Sequence, residues 1–100
     1  MAALLLLLRE RKAHGYDLLE RLPEVTGEDR VDVGNLYRVL RALEEQGLVS
    51  SEWDDSLPGP AKRTYELTDA GSEALERWAA SLAETRARID RFLARNEERR

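Results

Sequence analysis

Gly34, Tyr37, Arg38, Arg41 and Glu45 fall on one side of a helical wheel drawn through residues 31–49, VDVGNLYRVLRALEEQGLV. That side offers a small residue, a phenolic hydroxyl and two guanidinium groups. Arginine makes paired hydrogen bonds to guanine or to phosphate, and a small residue permits close approach. The face therefore has the chemistry of a helix lying in a DNA major groove. The plainer reading is a solvated face on which Glu44 and Glu45 neutralise the arginines at helical spacing. The chain has no glycine-rich phosphate loop, no Ser or Cys nucleophile beside a plausible base, and no Cys at all. An enzyme, a metal centre and a resident cofactor are not expected. His14, Asp17 and Glu20 share helical spacing, but three such residues on one short helix are better read as a helix start with surface charge.

The elements that must position this face can be read outward from it. Asp32 is an N-cap, since its carboxylate can accept from the free N–H groups of the first turn. Val33, Leu36, Val39, Leu40 and Leu43 fall in one arc and face a core. Gly47 permits the left-handed residue that ends a helix, and a strand starts at Leu48. Residues 48–54 and 62–67 alternate as two strands around the turn-rich DDSLPGP, which predicts a hairpin. Directly after a reading helix, a hairpin is a wing, and Lys62 and Arg63 stand where a wing grips phosphate; as a charge pair they can equally be solvated.

Upstream, residues 2–12 predict a first helix, apolar nearly all round and so buried on more than one side, against its own core or a partner chain. A second helix is predicted to start at Ala13 and to stop before Pro23. Its Tyr16 is either core or a hydroxyl donor to phosphate. Residues 24–30 form a polar connection, completing a helix-turn-helix with a long turn. Downstream, Thr68 caps one long helix reaching Asn96. Leu75, Trp78, Leu82, Thr85, Ile89 and Phe92 are spaced 3, 4, 3, 4, 3, a heptad seam. A helix of about 28 residues runs about 42 Å, beyond what so small a domain can cover, so the seam calls for a second copy of the chain. Trp78, near the start of the seam, would help line an aromatic site between two copies, or simply pack there.

The sequence thus predicts a mainly α fold with a small β-hairpin: a winged helix-turn-helix over 1–68 and a dimerisation helix over 69–100. The net charge of −4 over 100 residues argues against nonspecific nucleic-acid binding by the whole surface, so any DNA contact rests on a local basic patch. Leu4 to Leu8 is too short to span a bilayer and lacks the flanks of a signal peptide. A cytoplasmic protein with no membrane partner is expected.

Several motifs in order resemble one family: His14-Gly15-Tyr16; Gly34-Asn35-Leu36-Tyr37; residues 40–49, LRALEEQGLV; and residues 63–71, RTYELTDAG. Together they are similar to the PadR family of bacterial winged-helix transcriptional regulators, in its short branch with a single C-terminal helix. The resemblance implies a homodimer that binds double-stranded operator DNA and usually represses. It implies DNA reading by Gly34, Asn35, Tyr37, Arg38 and Arg41, wing contacts by Lys62 and Arg63, and a C-terminal helix packed on the partner's first helix. Leu5, Leu75, Trp78, Leu82, Ile89 and Phe92 would then form the dimer interface. Some members bind aromatic or drug-like molecules at that interface and release DNA, a role that falls here to Trp78. The chain departs from the family pattern at Asp32-Val33, where Ser-Pro is common, at Asn35, where Thr is common, and at Arg38, where many have Pro. Asp54 and Asp55 put negative charge near the wing tip. The alternative function is a winged-helix protein-interaction module without a DNA role, which the acidic balance favours.

Overall fold

Thirteen residues form the helix on which the rest is arranged, and its boundaries follow from local chemistry. In a computed structural model, which describes residues 2–27, 32–54, 59 and 62–100, Asp32 is extended and its Oδ1 accepts from the N–H groups of Gly34 and Asn35 at 2.9 and 3.4 Å. A cap of this kind contributes about 1 kcal/mol. Helix α3 (Val33–Glu45) buries Leu36, Leu40 and Leu43 on one side. Val33 is half exposed and not core-facing, because it opens the first turn just beyond the packed body. Gly47 adopts φ +76°, and the Leu48 N–H then reaches the Leu43 carbonyl at 2.9 Å, closing the helix end.

The remaining elements are α1 (Ala2–Glu10), β1 (Ala13–His14), α2 (Gly15–Thr26), β2 (Val49–Asp54), β3 (Lys62–Leu67) and α4 (Asp69–Glu98). Helix α1 ends at Glu10 rather than at residue 12, β2 starts at Val49 rather than Leu48, and α4 runs to Glu98 rather than Asn96; two larger differences concern the second helix. Residues 13–14 are a short strand rather than a helix start. They pair antiparallel with β3, Ala13 opposite Tyr65 and His14 opposite Thr64, so the hairpin becomes a three-stranded sheet of order β1-β3-β2. Burial of Ala13 and of Tyr65 holds that pairing. Helix α2 also runs through Pro23 instead of stopping before it. Proline there removes one N–H, but Leu22 anchors the turn in the core, and the Gly27 N–H closes the end on the Pro23 carbonyl at 2.9 Å. The expected turn over 55–58 and 60–61, with Asp55, lies outside the described residues, as do Val31 and residues 28–30 of the polar connection.

One apolar core joins these elements. Leu4, Leu5, Leu7 and Leu8 of α1 pack with Leu18 and Leu22, the α3 leucines, Val49, Tyr65 and Leu75. Leu5 is fully enclosed and Leu75 nearly so, both by their own chain. Neither offers surface to a partner, which corrects their expected place in a dimer interface. The core therefore takes in the first two turns of α4. Arg9 of α1 reaches Glu76 and donates to Ser72 Oγ, clamping α1 on α4 at the same level. From Glu76 onward every residue of α4 is exposed, and the molecule extends 62 Å along its longest axis. Among the described residues no helix is long and apolar enough to cross a membrane.

Candidate nucleic-acid interface

Helix α3 and the β2–β3 hairpin leave a cleft between them. It measures 360 Å³ and is lined by Tyr37, Arg41, Glu44 and Glu45 from the helix and by Arg63 and Tyr65 from β3. A second depression of 210 Å³ is lined by His14, Gly15, Tyr16 and Tyr37, with Lys62, Arg63 and Tyr65. Tyr37, Arg63 and Tyr65 border both. The fold thus brings together Tyr16, Tyr37, Arg41, Lys62 and Arg63, which lie up to 47 positions apart in the chain. Gly34, Asn35 and Arg38 are exposed on the first turns of α3. Their position lets the N-terminal half of the helix approach a groove first, as recognition helices do.

Asp32 complicates that approach. Its carboxylate satisfies the two N–H groups that a phosphate would otherwise find at the helix start, and it adds negative charge there. Two of the backbone donors at this end are therefore occupied, which shifts the burden of binding toward side chains.

Tyr37 is exposed, as its wheel position suggests, but it also packs against a neighbouring element. Its ring lies over Gly15 so closely that a Cβ on Gly15 would come within 2.7 Å of the ring and hydroxyl. Gly15 is what allows the start of α2 and the exposed side of α3 to meet. The ring remains 45% exposed, so Tyr37 both spaces two elements and presents an edge outward. Tyr65 forms the floor of the cleft. Burial raises its phenol above the usual value; Arg63 and Arg41 pull it back, while Glu44 and Tyr37 push it further up. The hydroxyl therefore stays protonated and available as a donor.

Arg63 is the residue whose surroundings sequence reasoning missed. Its Nε donates to Ser51 Oγ at 2.7 Å, and that hydroxyl in turn donates to Glu44 at 2.8 Å. The Arg63 guanidinium lies 3.8 Å from the Glu44 carboxylate and 5.3 Å from the centre of the Trp53 ring. No signal in the sequence links these four, since they come from three elements. Lys62, by contrast, is exposed at the start of β3, with Asp54 as its cross-strand neighbour.

Along α4, Trp78, Leu82, Ile89 and Phe92 are 41–70% exposed, as is Leu93 at 52%. Leu6 of α1, at 38%, is the exposed leucine of a helix whose other leucines are buried. Leu6 and Leu93 were missed: a wheel places Leu93 one turn after Ile89, but nothing in the run of leucines marks Leu6. Among the described residues no group of three His, Cys, Asp or Glu side chains is arranged to hold a metal.

Comparison with known proteins agrees with this architecture. The model of the PadR-like family of transcriptional regulators matches residues 4–77. A PadR-like transcription factor from Bacteroides fragilis is 31% identical, with 91% of this chain and 86% of that one covered and a TM-score of 0.79. A PadR family regulator from Eggerthella lenta is 29% identical, covering 90% and 80%, with a TM-score of 0.76. Bacillus subtilis PadR, crystallised with operator DNA, is 28% identical over 78% of this chain and 45% of its own, with a TM-score of 0.69. With most of its length matched in sequence and fold, the chain belongs to the PadR-like family of transcriptional regulators, which are not enzymes.

Proposed function

We propose that the chain is a homodimeric repressor that binds double-stranded operator DNA and is released by a small aromatic ligand. The observation that carries the DNA reading is the cleft flanked by Arg41 of α3 and the basic start of β3, with Arg38, Asn35 and Gly34 on the leading turns of the same helix. A duplex backbone fits between a reading helix and a wing of this kind. The likeness to Bacillus subtilis PadR, crystallised with operator DNA, supports a DNA-binding reading. In the proposed complex Arg38 and Arg41 of this chain would read bases or phosphates, and Tyr16, Tyr37 and Lys62 would lie along the backbone. A regulator of this kind would act in the cytoplasm of a cell without a nucleus.

The dimer rests on α4. A single helix exposed from Glu76 onward, with Trp78, Leu82, Ile89, Phe92 and Leu93 on its surface, has no counterpart in its own subunit. A second copy supplies the same seam and covers both.

Binding of the purified protein to the DNA upstream of its own gene, followed by fluorescence anisotropy over a salt series against a scrambled duplex, tests the reading. Arg38→Ala and Arg41→Ala should each cost about 1–3 kcal/mol of operator affinity if bidentate to a base, and leave the dimer intact. Unchanged binding by both variants counts against DNA reading by α3. No duplex binding by the wild type at low salt would favour the protein-interaction module.

The effector reading rests on Trp78, 41% exposed where the seam leaves the core. In a Trp53→Phe background, titration with phenolic compounds should quench the remaining Trp fluorescence saturably and lower operator affinity in parallel. A flat response across a broad aromatic panel removes the ligand from the proposal.

A further inference from the structure

Arg63 has the charge of a phosphate contact but not the freedom of one. We infer that it is a positioning residue: a chain running from Glu44 through Ser51 to Arg63 and Trp53 fixes the angle between the reading helix and the wing. The inference rests on the DNA-binding reading and assigns a role within that interface.

The geometry is complete at each link. The Ser51 hydroxyl has one proton and gives it to the Glu44 carboxylate, whose two oxygens lie 2.9 and 2.8 Å away. Its lone pair then accepts from Arg63 Nε at 2.7 Å. The far side of the guanidinium covers the Trp53 ring at 5.3 Å, and its Nη2 approaches Glu44 at 3.8 Å. Glu44 sits in the last turn of α3, Ser51 and Trp53 on β2, and Arg63 on β3, with Trp53 directly opposite Arg63 in the register. The chain therefore ties α3 to both strands of the wing. Trp53 is 66% exposed, and the guanidinium is what it packs against. A phosphate competing for Arg63 would have to draw it from a carboxylate, a hydroxyl and an aromatic face together.

The two roles predict opposite signs. If Arg63 holds phosphate, Glu44 is only a like-charged neighbour of DNA, and Glu44→Gln should strengthen binding. If Arg63 is part of the chain, Glu44→Gln loosens the wing and weakens operator binding, by roughly tenfold, as coupled neighbours do. The charge-conserving Arg63→Lys separates them again. Lysine serves well as a point contact to phosphate, but it has neither the Nε–H donor nor the flat face that this chain uses. The chain predicts that Arg63→Lys weakens binding as much as Arg63→Ala, with the salt slope unchanged in both. Loss of a phosphate contact would reduce the slope by about one.

A readout independent of DNA comes from the Arg63 Nε–H resonance in solution. It should exchange slowly with water in the wild type and rapidly in Ser51→Ala. Weaker binding by Glu44→Gln and Arg63→Lys, at unchanged salt slope and with a protected Nε–H, is the expected result. Tighter binding by Glu44→Gln, a slope reduced by one in Arg63→Ala, or an unprotected Nε–H overturns the assignment. If the wild type binds no duplex, the DNA reading fails and the positioning role falls with it, while the exchange rate still reports whether the chain forms.

Discussion

Replacing Ile89 and Phe92 together by Asp should convert the protein to a folded monomer that no longer holds its operator. Both side chains are on the solvent-facing length of α4, 51% and 70% exposed, and neither belongs to the core. Their loss therefore leaves the helical circular dichroism and the melting of the winged domain nearly unchanged. In a dimer each would be buried, and full burial of such a side chain contributes about 1.5–3 kcal/mol. Symmetry counts each substitution twice, and the introduced carboxylates must also be desolvated. Dimer dissociation should rise by at least about a thousandfold. Operator binding falls with it, because linkage of two reading helices raises avidity by about 10² to 10⁴ over one alone. Sedimentation at micromolar concentration reads the first effect, and anisotropy on a full and a half operator reads the second. A dimer that survives both substitutions would falsify the seam as the interface. A monomer that binds the full operator like the wild type would remove the need for dimerisation.

The sequence alone names Ile89 and Phe92 for the interface too, but it groups them with Leu75, which the core of the subunit takes up. The heptad spacing from Leu75 to Phe92 is continuous in the sequence, yet its two ends do different work. Leu75 closes the core of its own subunit, and Phe92 is bare. A 3-4 repeat states that a stripe is apolar, and only the tertiary fold decides what covers it. Leu5 shows the same ambiguity in α1, where a helix apolar on all sides reveals nothing of which side meets which neighbour. Helix α3 was legible because three independent signals coincide on it: the Asp32 cap, the periodic leucines and Gly47. The strand at residues 13–14 was not, since two residues carry no alternation and His-Gly-Tyr-Asp reads as a helix start. The candidate interface was legible in its residue types but not in its wiring. Ser51 bridges side chains 7 and 12 positions away, and such contacts are fixed by sheet register rather than by any local pattern.

The largest expected loss of stability lies where α4 leaves the wing. Gly71 is buried in the first turn of α4, and a Cβ built on it would lie 2.0 Å from the Leu48 carbonyl oxygen and 2.6 Å from Leu67 Cδ1. The leucine methyl can turn aside, but the carbonyl cannot. It accepts from the Thr68 N–H at 3.2 Å, while Thr68 Oγ1 donates to the neighbouring Gly47 carbonyl at 2.7 Å and caps α4 by accepting from the Gly71 N–H at 3.0 Å. These bonds join the end of α3, the base of the wing and the start of α4 in one small knot, with glycine at its closest approach. Gly71→Ala must push α4 outward by about 1 Å or more to restore ordinary contact, stretching those bonds and lifting Leu75 from the core. Overpacking of this kind costs about 1–3 kcal/mol, and a clash with backbone belongs at the upper end. For a domain of this size about 3 kcal/mol lowers the melting temperature by roughly 12–24 °C. Alanine is the better helix former, so an unchanged or raised melting temperature would show that the knot is not tight. Gly71→Ala should also weaken operator binding at temperatures where the protein remains folded. In the proposed dimer the direction of α4 relative to α3 would set the spacing of the two α3 helices, and half-sites one helical turn apart tolerate little error. A stability loss with full operator affinity would separate the two roles and confine Gly71 to packing.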